Sequence, residues 1–216
     1  PFSWKRANPV GALILLRRHV ELTGLASVYF LLHFAHHVFS AVFVLYAALR
    51  YGWGPLQVGM LLALVGVLDM IVQGVLTGPV TKALGDRRTM IIGLFGGTIG
   101  VALMGWAPTG WAFVAAMLPN ALWGLAMPTM QALMTRQVGD DEQGQLQGAN
   151  NSVASIAGIA SPLFFGWVYA VSIGPQSWVP HPGLAFFMAA LVLAAAGLLG
   201  WRVGVKAERA EAASRA

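Results

Sequence analysis

Long apolar stretches broken by short polar ones set the pattern of this chain. A bilayer's hydrocarbon core is about 30 Å thick, so a crossing helix needs about 20 mostly apolar residues. Six segments reach that length, at roughly 24–49, 57–81, 90–107, 111–135, 146–171 and 183–203. The pattern predicts an all-α membrane protein of six transmembrane helices. Gly93, Gly96, Gly97, Gly100, Pro119, Pro128, Gly158 and Pro162 fall inside these segments. In a soluble helix they would argue for breaks. In a membrane, glycine lets backbones approach and neighbours re-satisfy the carbonyl that proline frees. Residues 1–23 read as a cytoplasmic linker. Within them, Leu13–Leu16 before Arg17, Arg18 and His19 is suited to an amphipathic surface helix. Residues 24–203 form the bundle and 204–216 a polar, frayed cytoplasmic tail.

Composition agrees with the pattern. Apolar residues make up 57% of the chain and charged residues 10%, with a mean hydropathy of +0.69. A soluble domain has roughly 45–50% and about 25%. The absence of cysteine removes disulfides, thiolate nucleophiles and sulfur ligands. The chain opens on Pro1 without a signal-peptide pattern, so the expectation is an internal start within a longer protein.

Basic residues cluster in alternate connections. With the start in the cytoplasm, the inner segments hold Lys5, Arg6, Arg17, Arg18, Lys82, Arg87, Arg88, Arg136, Arg202, Lys206, Arg209 and Arg215. The outer loops hold only Arg50, a division of 12 against 1 of the 13 basic residues. This bias orients membrane helices, placing both ends of the chain in the cytoplasm. It also accounts for the pI of about 10.1 without nucleic acid as a partner; the lipid bilayer is the expected partner.

Of eight acids, only Asp69 falls inside a span, at the centre of 57–81. An acid there costs about 2.5–3.5 kcal/mol on insertion scales. Burial favours the neutral carboxyl, so such an acid can load a proton from one side and release it to the other. The alternative is a hydrogen-bonded acid that only fixes packing. Gln73 lies one turn on, on the same face. The first span carries His33, His36 and His37. Consecutive antiparallel spans are expected to be neighbours, which places His36 or His37 at the depth of Asp69 and suggests a proton relay. A three-histidine metal site and plain packing histidines are the rival readings. Asn120 and Gln131, with Thr129, on the fourth span, and Asn150 and Asn151 on the fifth, suit either a substrate path or bonds between helices. No G-x-S-x-G, H-E-x-x-H or P-loop motif occurs, which argues against an enzyme.

The connection after the second span reads Gly78-Pro-Val-Thr-Lys82-Ala-Leu-Gly85-Asp86-Arg87-Arg88. It resembles the second-half signature loop of the major facilitator superfamily. Tyr51–Gly59, Met127–Gln131, Gln143–Gly148 and Ser161–Gly166 together resemble the C-terminal half of the tetracycline-efflux carriers of the drug:proton antiporter group. The resemblance implies one half of a twelve-helix fold, a missing N-terminal six-helix half, and a multi-pass protein of the cell's inner membrane. It implies export of a small amphiphilic drug, tetracycline being the named expectation, as a complex with a divalent metal in exchange for a proton, with no resident cofactor. Those carriers have a histidine where this chain has Asp69 and an essential acid where it has Gly97. The proton site is therefore expected to have moved to the neighbouring helix. A metabolite facilitator of the same fold and a non-transporting six-span scaffold are the alternatives.

Overall fold

The structure of the chain, a computed structural model, describes the backbone of residues 20–174, 177 and 180–214, and the side chains of 22–174, 177 and 180–203. Lys5, Arg6, Arg17, Arg18, Lys206, Arg209, Arg215 and the amphipathic segment before residue 20 lie outside the described side chains. Among the described residues, six helices are long and apolar enough to cross a membrane. They are α1 (Leu22–Tyr51), α2 (Pro55–Leu84), α3 (Asp86–Trp106), α4 (Gly110–Thr135), α5 (Gln143–Ile173) and α6 (Leu184–Val203). The backbone of α6 stays helical to Ser214. No strand occurs among the described residues.

The helices run past the apolar segments at several ends, because the caps and not the hydropathy set their limits. The α1–α2 turn closes with Gly52 at φ +66° after Tyr51. Pro55 then opens α2, and the Gly54 amide donates to Gln57 Oε1 at 3.1 Å. A proline in the first turn loses no helical bond. The connection expected to be a loop at 78–88 is almost wholly helical. Helix α2 continues to Leu84 and α3 begins at Asp86, with Gly85 between them at φ +81°. One residue in that left-handed region suffices to reverse the chain, and only glycine adopts it without strain.

Helices α3 and α6 form the packed spine. Helix α6 lies along α3 and the first half of α1, α4 crosses the other side of α3, and α5 runs along α1. The α3–α4 contact is close because the facing residues lack side chains. A Cβ on Gly93 would meet the Ala126 amide at 2.8 Å, and one on Gly100 would overlap the backbone of Asn120. Small residues permit this approach where the hydrophobic effect cannot drive one apolar helix onto another.

Helix α2 departs from expectation. It packs chiefly against α4, and only weakly against its chain neighbour α1. Leu56, Met60, Met70 and Val75 along it are exposed. The exposed side of α5 carries Ile159, Leu163 and Trp167.

At the end of the bundle that holds the α1–α2 turn, an aromatic cluster binds the helix ends together. Tyr46 and Tyr51 donate to the Met104 and Ala107 carbonyls of α3 at 3.1 and 2.9 Å, and Phe113 and Phe186 pack against Tyr46. The last carbonyls of a helix have no partner of their own, so these tyrosines satisfy groups that would otherwise be orphaned. Exposed Trp106, Trp111 and Trp167 stand towards this end, as expected of an interfacial belt.

Candidate functional site

Three helices are irregular at the same place. The middle of α2 is wound as a π-helix from Met70 to Leu76. Thr77 donates its backbone N–H to the Val72 carbonyl, five residues back, and its Oγ1 donates to the same carbonyl at 2.9 Å, so a side chain reinforces the wide turn. In α4, residues Leu122–Leu125 form a 3₁₀ turn between two α-helical pieces. Pro128 has no N–H to give to the Gly124 carbonyl, so regular winding is interrupted there. Helix α1 is interrupted at His37, between Val20–His36 and Val38–Tyr51. The π segment and the 3₁₀ turn lie against each other.

Asp69 stands at the junction. It ends the regular part of α2, one residue before the π segment. Gly124 approaches it so closely that a Cβ there would stand 3.7 Å from Asp69 Oδ1, 3.4 Å from Gln73 Cγ and 3.2 Å from Val72 Cγ1. Asp69 is half-buried and Gln73 is exposed. Next to Gly124, the buried Trp123 meets His36 edge-on, with ring centroids 5.5 Å apart. His36 and Asp69 lie within electrostatic reach of each other.

The three histidines turn to different neighbours, although the His36 and His37 rings stay edge to face with centroids 6.3 Å apart. His36 faces Trp123. His37 faces α5, where its Nε2 would stand 3.4 Å from a Cβ on Gly158, and Ser40 Oγ lies 3.5 Å from its Nδ1. His33 packs at a tilt against Tyr29 with centroids 4.4 Å apart, and its buried Nε2 has no hydrogen-bond partner among the described residues. No cluster of three His, Asp or Glu side chains suited to a metal occurs among the described residues.

The polar residues also divide. Gln131 of α4 lies near the Tyr29 hydroxyl of α1. Asn120 sits against Gly100 of α3, a packing position, with a buried and unpartnered Oδ1. Asn150 is buried with its Oδ1 unpartnered, while Asn151 is exposed. Thr129 donates to its own helix at Leu125. Trp123 is the residue that sequence reasoning passed over. Its signal was its position between Pro119 and Pro128, which flag an irregular helix.

The signature segment makes a second, ionic site at the other end of the bundle. Buried Asp86, in the first turn of α3, pairs with Arg136 at the end of α4 at 2.5 Å. Arg87 Nη2 donates to the Trp201 carbonyl of α6 at 3.1 Å. Gly78, Lys82 and Arg88 are exposed on the same rim. Stranding a buried carboxylate costs about 3–5 kcal/mol when the pair is wholly buried. Arg136 is 68% exposed, so water replaces part of the loss. Arg136→Gln is expected to destabilise the bundle by about 1–2 kcal/mol, read as a lower melting temperature of the full-length protein. An unchanged melting temperature would show that the pair holds nothing.

The family model described as the Major Facilitator Superfamily matches residues 25–216. The class C tetracycline resistance protein of Escherichia coli is 33% identical over 190 residues, covering 88% of this chain and 47% of that protein. The class G tetracycline resistance protein of Vibrio anguillarum is 33% identical over 182 residues, covering 82% and 46%. Hippocampus abundant transcript-like protein 1 of Mus musculus is 25% identical over 167 residues, covering 77% and 33%. The chain thus spans about half the length of the tetracycline resistance proteins it matches.

Proposed function

The chain belongs to the Major Facilitator Superfamily, and on that premise we propose that it is the C-terminal six-helix half of a multi-pass carrier that exports a drug of the tetracycline class in exchange for protons. The observation that carries this reading is Asp69: the single acid deep in a span, placed where two irregular helix segments meet and opposite a histidine of a third helix. A fixed packing role has no use for an acid at that depth, whereas a proton-linked carrier requires a group that changes charge within the membrane. Similarity to the tetracycline resistance proteins supports the drug class.

In this mechanism the exposed apolar sides of α2 and α5 are covered by a second six-helix half, with the transport path between the halves. The end bearing Lys82, Arg87, Arg88, Arg136 and Arg202 faces the cytoplasm. Protonation of Asp69 from outside favours return of the carrier to its inward-facing state. Release of that proton towards the cytoplasm precedes drug loading. The weakly wound segments around Gly124 and Met70–Leu76 give the helices freedom to re-pack in the change. A metal ion travelling with the drug is cargo and needs no fixed ligands in the helices.

Cells producing the full-length protein are expected to hold less tetracycline than controls, and to fill with it when an uncoupler collapses the proton gradient. Accumulation that falls on uncoupling would instead mark an importer. No difference from controls under either condition would leave the chain without a drug-transport role.

A further inference from the structure

The back of the bundle, away from Asp69, carries a different pattern. On α3 the exposed positions are Arg88, Ile92, Ile99, Leu103 and Trp106, with Phe95 partly exposed between them. These spacings of three, four and seven trace one face of a helix. On α6 the exposed positions Leu191, Ala195, Leu198 and Arg202 trace another. The two faces adjoin. Phe95 of the first covers Gly197, next to Leu198 of the second, where a Cβ would stand 3.4 Å from the Phe95 ring. Arg87 binds the Trp201 carbonyl, which brings Arg88 and Arg202 to the same end and depth. Exposed Trp201 stands beside them.

Each stripe is apolar along its length and ends in one exposed arginine. Neither Arg88 nor Arg202 has an ion-pair partner among the described residues. Hydrocarbon chains suit the stripes and a negative group suits their end, with the tryptophan at the boundary between them. A soluble anion would leave the apolar stripes unused, and a neutral lipid would leave the two charges uncompensated. We propose that the α3–α6 face is a binding site for an anionic phospholipid, whose phosphate lies between Arg88 and Arg202 and whose acyl chains follow Phe95, Ile99 and Leu198. The site needs only that these helices stand in a bilayer, so it holds whether or not the transport reading does.

The test is competition for the full-length protein in detergent, with native mass spectrometry counting retained lipid. The probes are dioleoylphosphatidylglycerol, dioleoylphosphatidylcholine and inorganic phosphate. Wild-type protein is expected to keep phosphatidylglycerol over phosphatidylcholine, and inorganic phosphate is expected not to displace it. The double variant R88Q/R202Q is expected to bind phosphatidylglycerol about 25-fold more weakly, about fivefold for each arginine, with phosphatidylcholine unaffected. K82Q, which removes a basic residue of the same rim away from this face, is expected to keep the preference. Equal retention of the two lipids by wild type overturns the proposal, as does an undiminished preference in R88Q/R202Q. Displacement by inorganic phosphate overturns the assignment to a lipid. If the double variant does not fold, the fivefold loss in each of R88Q and R202Q decides the matter.

Discussion

Asp69→Asn in the full-length protein is expected to abolish concentrative drug export while leaving the protein folded and in the membrane. Asparagine keeps the shape and hydrogen-bonding ability of the neutral acid. It stands beside Gly124 as before and removes the cost of a charge in hydrocarbon. Folding therefore gains slightly or is unchanged. What is lost is the proton. For one proton per cycle, each unit of pH difference sustains about a tenfold concentration ratio. Without the titrating group that ratio falls to about one, and the drug equilibrates. Inverted membrane vesicles with an imposed pH gradient make the measurement. Asp69→Asn vesicles that still concentrate tetracycline would remove Asp69 from the mechanism. Asp69→Glu keeps a titrating carboxyl one methylene longer, so partial activity there separates charge from shape. His36→Gln is the companion variant. It keeps a polar side chain beside Trp123 but no titrating ring, and a slower cycle with the gradient dependence intact would mark His36 as a helper and not the carrier of the proton.

The number of the spans and their rough positions were legible because hydrocarbon thickness sets a length that composition alone reports, while their exact ends were set by caps such as Gly52 and Gly85. The side on which each span packs was not. Lipid tails and neighbouring helices are equally apolar, so a stretch such as 57–81 carries no strong signal of what covers it. Helix α2 could not be assigned to α4 instead of α1 for that reason; α4 stands between the two, with Trp123 against His36 and Gly124 close to Asp69. The π segment was also hidden. Met70–Leu76 contains no proline, and the Thr77 hydroxyl, which adds a second bond to the Val72 carbonyl, is no different in sequence from any other helical threonine. By contrast, Pro119 and Pro128 announced that α4 is irregular, and Gly93, Gly96, Gly97 and Gly100 announced close approach, which the backbone contacts to Ala126 and Asn120 bear out.

Gly97 joins these threads and makes the last prediction. The tetracycline-efflux carriers that the sequence resembles have an acid at the matching place, so Gly97→Asp reads as a restoration. The packing opposes it. Gly97 is buried, and a Cβ there would stand 2.9 Å from both Leu193 Cδ2 and Trp123 Cβ. The neighbours on both sides would have to shift, at about 1–3 kcal/mol for overpacking. A carboxyl beyond that Cβ would be pressed among Leu193 and the Trp123 ring, and a buried polar group without partners costs about 1–3 kcal/mol more. The total is on the order of 4 kcal/mol, a large part of a protein's stability. Gly97→Asp is therefore expected to lower the yield of folded protein and its melting temperature sharply. Gly97→Ala is expected to show the steric share alone. Efflux by the double variant Asp69→Asn/Gly97→Asp decides between the two views of the site. Restored pH-driven export would mean that Trp123 yields and that the acid acts equally well from either helix. Its absence, with Gly97→Ala still partly active, would mean that the Trp123 side chain occupies the space an acid at 97 needs, so that Asp69 carries the proton because no other helix has room for it.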